Sequence, residues 1–137
     1  MKKRIIALGL LWCLSAVMLQ AARVDTVLVR SAAMNKDVKV VYVLPDKAIG
    51  KQACPVVYLL HGYGGNARSW VQLKPELPQM ADEKGIIFVC PDGKNSWYWD
   101  SPENPAYRYE TFVTSELVKY TDGNYATIPD RKARAIS

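Results

Sequence analysis

At 137 residues the chain has room for one small domain, or a piece of a larger one, and too little for two ordinary domains. The formal charge is +5, but three of the 18 basic residues fall in the first four positions, and the chain after residue 22 carries only +2. That excludes basicity as an argument for nucleic acid and leaves an ordinary solvated surface.

Lys2, Lys3 and Arg4 precede the apolar run Ile5 to Leu19, and Gln20, Ala21 and Ala22 follow. This is the plan of a cleaved secretory signal over residues 1–22. Its 15 apolar residues are short of the roughly 20 that span a membrane. We therefore expect a secreted or periplasmic protein with no stable membrane anchor after cleavage.

Two β-rich segments, Val24 to Arg30 and Val38 to Leu44, flank the polar "SAAMNKD" and predict an antiparallel pair. Next, "VVYLL" (Val56 to Leu60) is a continuous apolar run of the kind found in strands buried on both faces. It stops in "HGYGG". Trp70 to Lys84 has helical character, broken early by Pro75 and Pro78, so the clean helix is expected at Glu76 to Lys84. Gly85 ends it and "IIFVC" (Ile86 to Cys90) begins a second buried strand, completing a βαβ unit.

Pro91 to Tyr107 is long for a connection and carries Trp97, Tyr98, Trp99 and Tyr107, too aromatic for a disordered segment. "YETFVTSELVKY" then predicts a helix that turns Phe112, Val113, Leu117 and Tyr120 inward, stopped by "DGNY". The final "ARAIS" opens another strand. Outside the signal only Cys54 and Cys90 remain. One precedes the first buried strand and the other ends the second, on the order of 15–20 Å apart in parallel neighbours, so both are expected as buried thiols and not as a disulfide.

The lone histidine, His61, opens the glycine loop. Gly62, Gly64 and Ala67 with Asp92 satisfy a dinucleotide-binding pattern, but Pro75 and Pro78 interrupt the helix that should begin tightly at the loop. No Lys followed by Ser or Thr completes a P-loop. His61 has no second histidine or carboxylate pair at ligand spacing, so no metal is expected. Its plain structural role would be to hydrogen-bond locally and hold the loop. The remaining reading is a loop whose glycines let a backbone N–H face a reacting carbonyl, as in α/β-hydrolases.

Taken together, "VVYLLHGYGG", "NARSW", "GIIFVCPDG", "YETFVTSEL" and "RKARAIS" resemble the Putative esterase family. That family includes esterase D (S-formylglutathione hydrolase), feruloyl and acetyl-xylan esterases and the mycolyltransferases. The resemblance runs in order from about Val38 to Ser137. It implies an α/β-hydrolase fold for residues 23–137: the N-terminal part of a mostly parallel sheet with flanking helices, preceded by a β-hairpin.

The resemblance also implies a serine carboxylic-ester hydrolase without a cofactor, acting on small-molecule or carbohydrate esters. The Tyr63 backbone N–H would serve the oxyanion hole. Gly62, Gly64 and Gly65 would allow the bend, with His61 shaping the loop, and Trp97, Tyr98 and Trp99 would wall the substrate pocket. Asp92 and Gly93 would shape the second loop, while Glu110, Ser115 and Glu116 would be structural. The family's nucleophile sits in G-x-S-x-G after "RAIS" or "RAIA", a motif not found in these 137 residues, so no nucleophile, triad acid or triad histidine is assigned and the chain by itself is expected to be inactive.

Two further expectations follow. The strand Val56 to Leu60 is expected to be left with an unpaired edge. The rival readings are a non-catalytic carbohydrate-binding protein using Trp97, Trp99 and Tyr107, and the dinucleotide-binding domain. The oligomeric state is not legible.

Overall fold

The computed structural model describes residues 22–137. The signal expected at 1–22 lies outside the described residues except for Ala22, which is buried. Five strands form one mixed sheet in the order β1-β2-β4-β3-β5. β1 (Arg23–Ser31) and β2 (Lys36–Leu44) are the expected antiparallel pair, in register from Arg23 opposite Leu44 to Ser31 opposite Lys36. β4 (Ile87–Pro91) runs antiparallel to β2 and parallel to β3 (Val56–Tyr58), and β5 (Arg134–Ile136) is parallel to β3.

Residues alternate across this sheet, so β2, β3 and β4 each supply two cores. Val40, Tyr42, Leu44, Val56, Tyr58, Ile87 and Val89 pack with Phe112, Val113 and Leu117. Val41, Val43, Phe88 and Cys90 pack with Leu59, Ala67, Leu77 and Ala81. Cys54 belongs to the first core and Cys90 to the second; both are free thiols. Covering helices on both faces explain why β2, β3 and β4 are apolar with little polar alternation.

Short α1 (Asp46–Ile49) follows β2. The predicted helix after the glycine loop is two pieces, α2 (Ser69–Leu73) and α3 (Leu77–Lys84). Pro75 lies between them. Pro78, expected to break the helix, stands instead in the first turn of α3, where a missing N–H leaves no bond unmade. Gly85 ends α3 at φ +63°, the left-handed cap that glycine takes without strain.

The third helical stretch is α4 (Tyr109–Thr111), a π turn (Phe112–Glu116) and α5 (Leu117–Asn124). It runs past Asp122 and Gly123, where "DGNY" was expected to stop it. The extra residue of the π turn shifts the inward face: Thr121 is fully buried and hydrogen-bonds the Tyr42 hydroxyl at 2.8 Å, while the expected Tyr120 is only half-buried.

β3 is not left with an open edge, contrary to the expectation. The Ser137 N–H donates to Tyr58 O at 2.9 Å and Leu60 N–H donates to Ser137 O at 2.8 Å, so β5 and the residue after it cover β3. Among the described residues, no helix is long and apolar enough to cross a membrane.

Candidate functional site

Two loops meet at the C-terminal ends of the parallel strands β3 and β4, a usual place for ligand sites in α/β sheets. The first runs 59–68 and the second 92–99. In the first, Gly65 N–H donates to Gly62 O at 3.0 Å, closing a four-residue turn. Gly64 is its third residue, at φ +77°, where a type II turn takes glycine. Gly65 has no space for a side chain: a Cβ there would lie 2.8 Å from Ser69 Oγ and 2.9 Å from His61 Nδ1. Gly62 differs. Nothing lies within 4 Å of its would-be Cβ, and its φ is not positive, so neither crowding nor strain requires glycine there.

His61 is the hinge between the loops, and its side chain is 1% exposed. Its Nδ1 donates to Gly62 O at 2.7 Å and its Nε2 accepts the Gly93 N–H at 2.9 Å. Those partners define the neutral tautomer with the proton on Nδ1 and leave no free ring nitrogen. The Asp92 carboxylate stands 3.5 Å from Nε2, but that nitrogen is already an acceptor, so the approach is not an ion pair. Asp92 instead accepts the Lys94 N–H at 2.9 Å.

Tyr98 locks the same point from the other side. Its hydroxyl accepts the His61 N–H at 2.9 Å and donates to His61 O at 3.2 Å, and its ring lies against Gly93, where a Cβ would come within 2.2 Å of Cε1. Burial pushes the Tyr98 phenol up to about 12. Asn95 adds a third tie, accepting the Gly64 N–H at 2.8 Å. Nothing in the sequence reading singled out Asn95 or Ser96; the polar run after Asp92-Gly93 is the turn chemistry that could have done so.

The second loop holds strain. Lys94, Trp97 and Tyr98 all have positive φ, 51°, 55° and 54°. Such non-glycine residues cost on the order of 1 kcal/mol each and persist where surrounding contacts over-determine them. Buried Ser96 supplies such contacts, donating to Gly93 O at 2.5 Å and accepting the Tyr98 N–H at 3.1 Å.

Between the loops lies a cavity of about 220 Å³ lined by Leu60, His61, Gly62, Tyr63, Asn95 and Trp97, with Lys94 and Tyr98 completing it. Tyr63 and Trp97 are 73% and 76% exposed and stack at 5.7 Å between centroids. Trp99 does not line the cavity; its carbonyl accepts the Tyr109 N–H at the start of α4. Flanked by tied residues on both sides, the Tyr63 N–H makes no hydrogen bond among the described residues. It is an uncommitted donor on a preorganised loop, suited to charge developing on an oxygen.

No serine hydroxyl bonds His61 among the described residues. Ser96 is committed within its own loop, and Ser137 is held by backbone pairing to β3. Among the same residues no group of three or more His, Cys, Asp or Glu side chains is placed to hold a metal ion. The helix after the glycine loop, α2, has five residues, a short platform for a pyrophosphate.

The family model described as "Putative esterase" matches residues 31–137. The acetyl esterase of Caldicellulosiruptor saccharolyticus is 25% identical over 112 residues, covering 76% of this chain and 41% of that protein. The diacylglycerol acyltransferase/mycolyltransferase Ag85A of Mycobacterium gordonae is 30% identical over 120 residues, covering 80% and 34%. Among solved structures, an S-formylglutathione hydrolase from Agrobacterium tumefaciens superposes with a TM-score of 0.73 at 26% identity, covering 85% of this chain and 48% of that one. The chain spans less than half the length of each of these proteins.

Proposed function

The chain belongs to the Putative esterase family of α/β-hydrolases, serine hydrolases that cleave esters, and on that premise we propose that it is the oxyanion-loop portion of an exported carboxylic-ester hydrolase acting on acylated carbohydrates. The observation that carries this reading is the two-loop lock: His61, Tyr98 and Asn95 fix the backbone on either side of Tyr63 and leave its N–H free. In acyl transfer a serine oxygen adds to the ester carbonyl, the carbonyl oxygen takes the negative charge, and the alcohol leaves as that charge collapses. A preorganised backbone donor at that oxygen lowers the barrier by about 3–4 kcal/mol. The Tyr63–Trp97 stack beside the cavity offers apolar faces for an acyl group or a sugar ring.

Nucleophile, triad acid and triad base are read as contributions of a longer protein, with the nucleophile on a G-x-S-x-G turn shortly after Ser137. The 137 residues alone are expected to leave an aryl acetate intact, and the longer protein to hydrolyse it and acetylated xylan. Hydrolysis by residues 1–137 that depended on Ser137 would overturn the division of labour. A longer protein that held its catalytic serine but cleaved no ester would overturn the esterase reading. The exposed Tyr63–Trp97 pair also fits glycan binding without catalysis; binding lost on Trp97→Ala, with no ester cleaved by the longer protein, would favour that reading.

A further inference from the structure

A second cavity, also of about 220 Å³, adjoins the first and shares Lys94 with it. It forms where the sheet steps. β2 pairs with β4 from Val40 opposite Pro91 to Val43 opposite Phe88, so Lys36 to Lys39 run on past the end of β4 and line the cavity. The Asp92 N–H donates to Lys39 O at 2.9 Å and holds the second loop against that step. Asp37 stands 3.6 Å from Arg30, and Asp92 stands 3.4 Å from Lys94 Nζ, so each carboxylate of the lining already has a cation. Lys36 and Lys39 have no carboxylate at ion-pair distance among the described residues. The Lys36 ammonium donates to Ala106 O at 2.7 Å and lies over the rings of Tyr107 and Tyr109, 5.2 and 4.9 Å from their centroids. It is therefore fixed in place with N–H donors to spare. Lys39 is exposed, and strand alternation puts it on the opposite face from Lys36, so two unbalanced cations flank the step.

We propose that this cavity is a subsite for a carboxylate on the substrate's carbohydrate, so that the site prefers acidic glycans, those carrying a uronic acid near the acylated sugar, over neutral ones. The subsite rests on the esterase reading above for its ester and on the two lysines for its anion. A carboxylate there accepts charge-assisted hydrogen bonds from both ammonium groups. Lys36 is already ordered by Ala106 and the two tyrosine rings, so less side-chain freedom is lost when the anion arrives. Because Lys94 lines both cavities, a glycan with its ester carbonyl at the Tyr63 N–H can place a neighbouring sugar between Lys36 and Lys39. A neutral sugar would leave those cations with water alone.

The 137-residue chain is titrated, with NMR detection, with xylotriose bearing one glucuronic acid and with the same glycan whose carboxylate has been made a carboxamide. The acid is expected to bind roughly fivefold more tightly at low salt, to shift the Lys39 and Lys94 amide signals, and to lose its advantage at about 1 M salt, where the screening length is about 3 Å. Lys39→Gln, at an exposed position outside the first cavity, should abolish the preference and leave carboxamide binding unchanged. Equal affinities, a preference that survives Lys39→Gln, or no binding of either glycan overturns the proposal. Free glucuronate binding as tightly as the whole oligosaccharide also overturns it, since the site would then hold a bare anion. In the longer protein, Lys39→Gln should raise KM roughly fivefold for an acetylated acidic glycan and not for its carboxamide. If the acid is preferred in binding but the longer protein cleaves no ester, the esterase reading falls and the anion subsite stands; if esters are cleaved with no preference for the acid, the subsite falls and the esterase reading stands.

Discussion

The Tyr98 hydroxyl takes the N–H of His61 at 2.9 Å and gives its own proton to His61 O at 3.2 Å, so one phenol satisfies both backbone groups of a buried residue 37 positions away. Replacing Tyr98 by Phe keeps the ring against Gly93 and removes both bonds. A buried N–H and C=O left unpaired cost about 1–3 kcal/mol. Urea unfolding of Tyr98→Phe should show that loss with an unchanged m value; a loss below about 0.5 kcal/mol would mean that the loops are held by other contacts.

The same phenol predicts an alkaline effect. An unfolded tyrosine titrates near 10, and burial raises Tyr98 to about 12. The folded state therefore holds this proton more tightly, so its contribution is complete below about pH 10 and is lost as pH rises toward 12. Burial also raises Tyr42, Tyr125 and Cys90, so the whole protein should weaken over that range. Between pH 9 and pH 11 the urea midpoint of Tyr98→Phe should fall less than that of the unsubstituted protein; parallel curves would count against the assignment.

Gly93→Ala tests the close approach of the loops. A Cβ would lie 2.2 Å from Tyr98 Cε1 and 2.5 Å from Cζ, so the ring must move and carry its hydroxyl off His61. About 2–3 kcal/mol of destabilisation is expected from overpacking. Gly62→Ala, with open space at its Cβ, should cost well under 1 kcal/mol. Reversal of that order in thermal melts would contradict the loop geometry.

Tyr63→Pro removes the free N–H at the second position of the Gly62–Gly65 turn, where proline's fixed φ is favoured. In a longer protein with the proposed esterase activity, kcat should fall roughly 100- to 1,000-fold. Tyr63→Ala keeps the N–H and removes the Trp97 stack, so it should act mainly on KM. If both variants lose kcat equally, the donor role belongs elsewhere.

Glu116 accepts Ser31 Oγ at 2.6 Å, the Ala32 N–H at 2.7 Å and the Ala33 N–H at 3.2 Å, tying the β1–β2 turn to the π segment. Glu116→Ala should cost about 1–2 kcal/mol and Glu116→Gln, which keeps one acceptor, about half as much. Faster amide exchange confined to residues 31–36 would localise the effect; unchanged exchange there would argue against it.

The apolar strands and their helical crossover were legible because residues such as Val56 to Tyr58 and Ile87 to Val89 form continuous apolar runs of the kind buried on both faces. The turn glycines Gly64 and Gly85 were legible because only glycine takes positive φ without strain. Asn95 and Ser96 were not, since their partners, Gly64 N–H and Gly93 O, become neighbours only once the loops fold. Trp97 and Trp99 look alike in sequence, yet only the first lines the cavity. Pro78 was misjudged because a proline in a first turn and one that breaks a helix differ by a few positions.

The π turn at Phe112–Glu116 works as a phase corrector. In an uninterrupted α-helix, five residues of advance from Phe112 to Leu117 would rotate the side chain about 140° past its starting face; the wider turn takes up much of that angle, and both residues are fully buried on the same sheet. The segment therefore has the character of a fixed insertion whose removal would bring the spacing to four residues without loss of helix. Length variation among relatives should be tolerated here in steps of one residue, each traded between a π turn and an ordinary one.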